Sequence, residues 1–225
     1  GVNYANALAD AQKQGFAEAD PTNDVCGFDA ARKLAILSSI GFRANVTFDD
    51  VLVEGIEKID KSDIQYAKDM GYTIKLLTVA LRQENGIALN VYPAFLPDNH
   101  PLSSVKGAYN AIYVTGNIVD DVMFYGRGAG ALPTASAVMG DVISTAQHIL
   151  NGSTGTGMIM TDTKRIPFYS SLKLQNSYYF RLDVDDVTGV LSQIAAAFAE
   201  NDISICEVVQ KRKTKGLAEL VLITE

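Results

Sequence analysis

The chain has 225 residues, 48% hydrophobic and 20% charged, which is enough to bury a core for one medium domain and a smaller unit. Its net charge of −7 opposes binding to nucleic acid and to anionic membrane surfaces, because charges of like sign repel. No apolar stretch approaches the roughly 20 residues that span a bilayer. Its two cysteines, Cys26 and Cys206, lack metal-ligand spacing and suit a reducing cytoplasm better than a disulfide framework.

The N-terminal part predicts two helices on either side of a polar loop. Residues 4–13 look like the end of a helix, and residues 15–27 form a proline-containing stretch in which no hydrophobic period survives. Apolar residues at helical spacing predict an amphipathic helix over residues 28–41. Asp29 and Lys33 are four residues apart, so they project together from another face of that helix.

Short helices and then strands are predicted in the middle of the chain. Thr47 and Asp50 resemble a capping box for a helix through Ile56, and a further helix is predicted to end near Gly71. Asn85-Gly86 is a hairpin signal, because this pair tolerates positive φ. Two hairpins and a final helix follow, with strands at residues 72–82 and 87–93, strands at residues 109–115 and 122–125, and the helix at residues 133–150.

This order of elements predicts an α+β fold with a mostly antiparallel sheet and helices packed on it, over residues 1–150. Residues 151–176 are predicted to be a linker and connecting segment, because their first part is rich in glycine and serine. Residues 177–225 alternate as strand, helix, strand and strand. That order predicts a partial ferredoxin-like β-α-β-β unit, since the last helix and strand are lacking.

A set of fixed positions in the polar loop and the following helix carries the functional signal. They are Ala11, Gly15, Phe16, Ala17, Glu18, Asp20, Pro21, Asp24, Val25, Gly27, Asp29 and Lys33. Their spacing resembles the signature of the homoserine dehydrogenase family throughout, and so many fixed positions make the match highly specific. The resemblance continues through residues 71–75 and 128–136, to nearly the whole chain.

The resemblance implies a role for each charged residue of the signature. Lys33 is the general acid/base, Asp29 lies beside it at the reacting end and also faces the substrate, and Glu18 and Asp24 are substrate ligands. The chemistry agrees, because oxidation of a primary alcohol by hydride transfer needs a group that takes the hydroxyl proton. A lysine whose pKa is lowered by its site can do so. Carboxylates suit the ammonium group of an amino-acid substrate.

Each of these residues also has an ordinary structural interpretation. Taken alone, Asp29 and Lys33 would be an exposed ion pair worth about 0.3–0.5 kcal/mol. Glu18, Asp20 and Asp24 would be solvated loop carboxylates, with Asp24 capping the following helix. The joint pattern favours the functional interpretation.

The glycine-rich stretch at residues 126–131 resembles a dinucleotide-binding fingerprint, but no second parallel strand is predicted after its helix. A glycine turn that lets the backbone cross closely fits the spacing equally well. The resemblance places this loop where the substrate domain meets NAD or NADP, and it implies a cofactor contact at Gly130. No metal ligand is predicted, since the family's metal-binding positions lie in a region that this sequence lacks.

Residues 185–191 resemble the turn of ACT domains, which bind amino acids at domain interfaces. A simple strand-to-helix turn, with Asp186 helping to cap the helix and Gly189 permitting close approach, is the structural alternative. In homoserine dehydrogenases such a domain implies feedback control by threonine.

The resemblance implies reversible, NAD(P)-dependent oxidation of L-homoserine to L-aspartate 4-semialdehyde in threonine and methionine biosynthesis, by a cytoplasmic homodimer or higher homo-oligomer. The chain begins without an initiator methionine or a signal peptide, which indicates a piece of a longer protein. The nucleotide-binding domain is therefore expected to be missing and the chain alone to be inactive. The alternative is an amino-acid-binding regulatory and dimerisation module without catalysis. A semialdehyde-handling enzyme ranks third, since Cys26 has no histidine nearby to activate it.

Overall fold

The structure is a computed structural model that describes residues 4–153, 166–169, 175–212 and 216–225. The chain divides into two compact units, one up to Ser171 and the other from Leu172 onward. Most of the predicted glycine- and serine-rich linker lies outside the described residues. The predicted domain boundaries therefore stay predictions. None of the described helices combines the length and the apolar character needed to cross a membrane.

The predicted N-terminal helices are confirmed. They are α1 (Tyr4–Lys13) and α3 (Phe28–Phe42), and the predicted loop between them contains one short helix that was not predicted, α2 (Thr22–Val25). The prediction that Gly41 ends α3 was wrong, because the helix continues through Gly41 to Phe42. Arg43 ends the helix instead, in a left-handed conformation with φ 52° and ψ 46°.

The segment after α3 is extended rather than helical. The capping box of Thr47 and Asp50 is confirmed, but it begins only one 3₁₀ turn, Phe48–Asp50. The prediction of a helix through Ile56 was wrong, because Leu52–Val53 forms strand β1 and pairs with a buried strand. Helix α4, Lys61–Asp69, follows and ends just before Gly71 as predicted.

The central sheet has three strands in the order β1–β3–β2. Strands β2 (Tyr72–Gln83) and β3 (Gly86–Pro97) form the predicted antiparallel hairpin, and β1 lies parallel to β3. Helix α3 covers one face of this sheet. The core that joins them consists of small and medium apolar side chains, namely Ala31, Leu34, Ala35, Ala44, Val46, Val51, Ile87, Leu89 and Val91.

The rest of the first unit contributes little to this core. Strands β4 (Tyr109–Gly116) and β5 (Asp120–Arg127) form a separate two-stranded sheet, as the second predicted hairpin required. Helix α5, Ala131–Leu150, begins two residues earlier than predicted and has no buried residue. Several of its apolar side chains, such as Leu132 and Ile149, are largely exposed.

The second unit confirms the predicted β-α-β-β order. It contains β6 (Tyr179–Asp185), α6 (Val190–Ala199), β7 (Ile205–Arg212) and β8 (Leu217–Thr224). Strand β8 lies between β6 and β7, antiparallel to both, and most of its residues are buried. The ring of Phe180 on β6 meets that of Phe198 on α6 edge to face, so α6 packs on this sheet.

Gly27 fixes the approach of α3 to the central sheet. It lies directly before the helix with φ 79°, a backbone conformation that glycine adopts without steric cost. A Cβ at this position would contact Val91 Cγ1 at 3.1 Å and Val53 Cγ1 at 3.3 Å. A larger residue would therefore strain the backbone and also crowd the two strands beneath it.

We expect Gly27→Ala to lower the free energy of unfolding by about 2–5 kcal/mol, combining about 1–2 kcal/mol for the left-handed backbone with about 1–3 kcal/mol for overpacking. The matched control is Gly71→Ala. Gly71 has the same φ of 79°, but no atom lies within 4 Å of its built Cβ. Its loss should stay near about 1–2 kcal/mol. Urea unfolding measures the free energy of unfolding of both variants. Equal losses of free energy in the two variants would refute the packing role of Gly27.

Candidate functional site

Helix α3 presents Asp29 and Lys33 on the side opposite its buried face. Lys33 Nζ lies 2.6 Å from Asp29 Oδ2, and the two side chains are 61% and 48% exposed. The buried residues of the helix, Ala31, Leu34 and Ala35, point about half a turn away, into the core. The ion pair is therefore carried by a rigid element but remains open to an approaching ligand.

Hydrogen bonds to both the N–H and the carbonyl of Glu18 hold the loop between α1 and α2. The Glu18 backbone N–H donates to Asp24 Oδ2 at 3.2 Å, and Gln12 Nε2 donates to the Glu18 carbonyl at 2.9 Å. Gln12 also donates to the Ala19 carbonyl at 3.3 Å. The Glu18 carboxylate itself makes no hydrogen bond to any described residue, and Glu18 is exposed. The loop therefore offers this carboxylate to solvent.

Asp24 lies within α2 rather than at the start of α3. The suggestion that it caps α3 was wrong, because Gly27 occupies the cap position and no side chain caps that helix. The Gly27 N–H donates to the Asp24 carbonyl at 3.3 Å, which closes the turn between the two helices. The structure thus brings Glu18 to Asp24 and Asp29 to Lys33, with the Val25–Gly27 turn between the two pairs.

Asp20 supports the same loop. Its Oδ1 accepts hydrogen bonds from the Thr22 hydroxyl at 2.6 Å and from the Thr22 N–H at 3.1 Å. These bonds to the side chain and backbone of Thr22 hold the pKa of the Asp20 carboxyl below its usual value, because they favour the charged form. Asp20 thus orders the entry into α2.

Glu57 adds a carboxylate that the sequence did not single out. The Cys26 thiol donates to Glu57 Oε2 at 3.2 Å, and the Ile56 N–H donates to the Val25 carbonyl at 2.8 Å. The hydrogen bond to Glu57 raises the pKa of the Cys26 thiol, and burial and the charges of Glu57 and Asp20 raise it further. A thiol with a raised pKa is a poorer nucleophile. This environment disfavours a semialdehyde-handling enzyme built on Cys26.

The glycine-rich loop joins β5 to α5. Gly130 has φ 120° and ψ 151° and directly precedes α5, and the Gly128 N–H donates to the Ala108 carbonyl at 2.9 Å. Strand β5 pairs only with β4, antiparallel, among the described strands. The loop therefore lies outside a parallel βαβ unit, as expected.

Comparison with known proteins decides the family. The homoserine dehydrogenase family model matches residues 1–143. A homoserine dehydrogenase of Bacillus subtilis is 42% identical over 224 residues, which cover 98% of this chain and 51% of that protein. The chain belongs to the homoserine dehydrogenase family. It spans about half the length of the relatives that it matches.

Solved homoserine dehydrogenases share the fold of this family member. The crystal structure from Thiobacillus denitrificans has a TM-score of 0.89 at 36% identity, covering all of this chain and 52% of that one. The structure from S. aureus at pH 7.5 has a TM-score of 0.72 at 32% identity, with 98% and 53% covered. The α+β fold of this homoserine dehydrogenase chain is therefore that of its family.

We expect Cys26 to react with iodoacetamide more slowly than the exposed Cys206 at mildly alkaline pH, and Glu57→Gln to speed its alkylation. The raised pKa keeps more of the thiol protonated at a given pH, and removing the Glu57 charge lowers that pKa. Mass spectrometry of each cysteine against pH gives the rates. Glu54→Gln, on the same segment, is the matched control. A Cys26 rate that Glu57→Gln leaves unchanged would contradict this account.

Proposed function

We propose that this chain supplies the substrate-binding and acid/base residues of a cytoplasmic homoserine dehydrogenase. The reaction is the reversible, NAD(P)-dependent oxidation of L-homoserine to L-aspartate 4-semialdehyde, a step of threonine and methionine biosynthesis. The observation that carries the proposal is the direct contact of Lys33 with Asp29 on the open side of α3. It supports the role that the family signature gives to these residues.

In this proposal Lys33 exchanges the proton of the substrate hydroxyl. Asp29 is already in contact with Lys33 Nζ, so it orients the ammonium toward the reacting end of the substrate. The Glu18 and Asp24 carboxylates attract the substrate ammonium. Because Gln12 and Asp24 hold the Glu18 backbone, binding costs little further ordering of this loop.

Homoserine dehydrogenases use NAD or NADP, which takes up the hydride when bound. The loop at residues 126–130 fits such a group, because Gly126 and Gly130 are exposed and have no side chain of their own that would block an approach to their backbone. Gly130 is proposed to contact the nicotinamide side of the cofactor. The adenine half is assigned to a nucleotide-binding domain elsewhere in the polypeptide, for which the relatives' greater length leaves room. This chain alone is proposed to be inactive.

The decisive test uses the full-length polypeptide that contains this chain. We expect Lys33→Ala to lower kcat for homoserine-dependent NAD(P)H formation by about 10²–10⁴-fold, the usual contribution of a positioned acid/base. The matched control is Lys58→Ala, because Lys58 forms an exposed pair of the same spacing with Glu54 at 3.9 Å. If the unmodified protein is inert with both NAD and NADP, the proposal fails.

We also propose that the protein is a homodimer or a higher homo-oligomer. One face of the β4–β5 hairpin carries Ile112, Val114 and Phe124, all of which are exposed. Apolar surface of this extent is typical of a protein–protein interface, and a two-stranded sheet is marginal without a partner. Sedimentation at increasing concentration tests this, and a strictly monomeric full-length protein would contradict it.

A second candidate function is amino-acid binding by the second unit. A cavity of about 160 Å³ lies at the turn between β6 and α6, lined by apolar side chains and by Gln210. Its volume suits a small amino acid such as threonine, and Gln210 provides both a donor and an acceptor. We propose that this ACT-like site mediates threonine control of the enzyme. In the alternative hypothesis, amino-acid binding at this site is the main function of the protein.

L-threonine at about five times its Kd should raise the melting midpoint of the chain by a few degrees, roughly the shift that about 1 kcal/mol of binding linkage produces. Gln210→Ala should abolish the shift. Gln193→Ala, on the exposed side of α6, should retain it, and D-threonine should give none. A shift that survives Gln210→Ala would place the effector elsewhere. A threonine shift in a full-length protein without dehydrogenase activity would favour the binding module.

A further inference from the structure

Residues 166–169, which follow α5 in the chain, lie along one edge of β3. The Ile87 N–H donates to the Pro167 carbonyl at 2.9 Å, and the Tyr169 N–H donates to the Ile87 carbonyl at 2.8 Å. Ile87 and Phe168 thus form a parallel bridge. Strand β2 occupies the opposite edge of β3, so residues 166–169 share their edge with β1. We call residues 166–169 the docked segment.

The docked segment is held by backbone contacts and by one side chain. A Cβ built on Gly86 would overlap the Pro167 carbonyl oxygen. That oxygen belongs to the backbone, so rotation of a side chain could not relieve the overlap. The side chain of Ile166 packs against the core cluster beneath α3. The turn before β3 and the core therefore both accommodate this segment.

Ile87 connects the docked segment to α3. Its backbone makes both hydrogen bonds to the segment, and its side chain lies fully buried in the core cluster with Ala31 and Leu34 of α3. Lys33 lies on the opposite, exposed side of the same helix. A change in the pairing of the segment can therefore reach the helix that carries Lys33 through a single residue.

The docked segment also leads into the second unit, because the boundary between the two units falls shortly after it, at Ser171. Its pairing with β3 consists of one bridge, whereas β2 and β3 pair along their whole lengths. A short edge pairing opens at a low cost in free energy, since few contacts break. The segment can therefore leave β3 without unfolding of the central sheet.

We propose that the docked segment couples ligand binding in the second unit to the candidate site on α3. This inference rests on the proposed function, in which the cavity at the turn between β6 and α6 takes threonine. Threonine binding favours release of the segment, which withdraws support from the core beneath Lys33 and lowers dehydrogenase activity. Such coupling requires an element with two arrangements whose balance both sites influence, and the docked segment is that element.

Hydrogen–deuterium exchange of the full-length polypeptide tests the coupling without a measurement of activity. We expect saturating L-threonine to speed exchange of the Ile87 N–H by about fivefold or more, the lower end of usual allosteric coupling, because its acceptor on Pro167 is withdrawn. The N–H of Ala88 is the internal control. Ala88 pairs with Leu81 on β2, so its exchange rate should not change. Fragmentation of the deuterated peptides by electron transfer resolves the two amides.

Two variants of Tyr169 separate the hydrogen bond from the side chain. Tyr169→Pro removes the N–H that donates to Ile87, whereas Tyr169→Ala retains it. Tyr169→Pro should show fast exchange at Ile87 without threonine and an activity lowered by about fivefold or more, and threonine should change neither. Tyr169→Ala should respond to threonine as the unmodified protein does. Both variants should retain the rise in melting midpoint that threonine produces.

The possible failures are distinguishable. If threonine raises the melting midpoint but leaves exchange at Ile87 unchanged or slower, this inference alone is overturned. A Tyr169→Pro protein that is as active as Tyr169→Ala, or that threonine still inhibits, overturns it equally. If threonine gives no rise in melting midpoint, the effector site fails and this inference fails with it. Inactivity of the unmodified protein with both NAD and NADP overturns the proposed dehydrogenase function, while the exchange at Ile87 still tests the coupling.

Discussion

The packing of α3 on the central sheet is the contact on which the rest of the candidate site depends. Ala31 and Ala35 are small, so the helix axis can lie close to β3. Gly27 starts the helix without a side chain between it and Val91. The position of Lys33 is thus set by apolar contacts on the far side of the helix. The candidate site residues contribute almost nothing to that packing. The fold therefore depends on one set of residues, and the candidate site consists of another.

Buried apolar residues are distributed unevenly in the first unit. Its core cluster lies within residues 31–91, whereas strands β4 and β5 and helix α5 leave large side chains such as Phe124 and Leu132 exposed. Isolated exposed apolar residues are normal, but α5 is a helix of 20 residues, rich in apolar side chains, of which none is buried. Among the residues that the structure describes, no element covers this apolar surface, and its extent agrees with the proposed homo-oligomer.

Local signals in the sequence predicted the elements well, and long-range contacts explain the failures. The spacing of apolar residues gave α3, and Asn85-Gly86 gave the hairpin of β2 and β3, because both depend on neighbouring residues. The capping box at Thr47 was real, but the following residues pair with β3, nearly 40 positions later in the chain. Glu57 was missed for the same reason. Its contact with Cys26 joins two segments with no fixed spacing, whereas the residues of the signature that includes Lys33 have a fixed spacing.

Stability alone does not account for the arrangement of charges around the Val25–Gly27 turn. An exposed ion pair such as Asp29–Lys33 contributes at most about 1 kcal/mol, so selection for stability gives little reason to keep it. The loop before α2 is ordered through the backbone of Glu18, by Gln12 and Asp24, while the Glu18 carboxylate is left without a partner among the described residues. Ordering the loop before α2 costs conformational entropy. The result is that the Glu18 carboxylate faces solvent with no partner among the described residues. A cationic ligand at the Glu18 carboxylate would explain why the loop is ordered in this way, and the proposed function assigns the ammonium group of an amino-acid substrate to it.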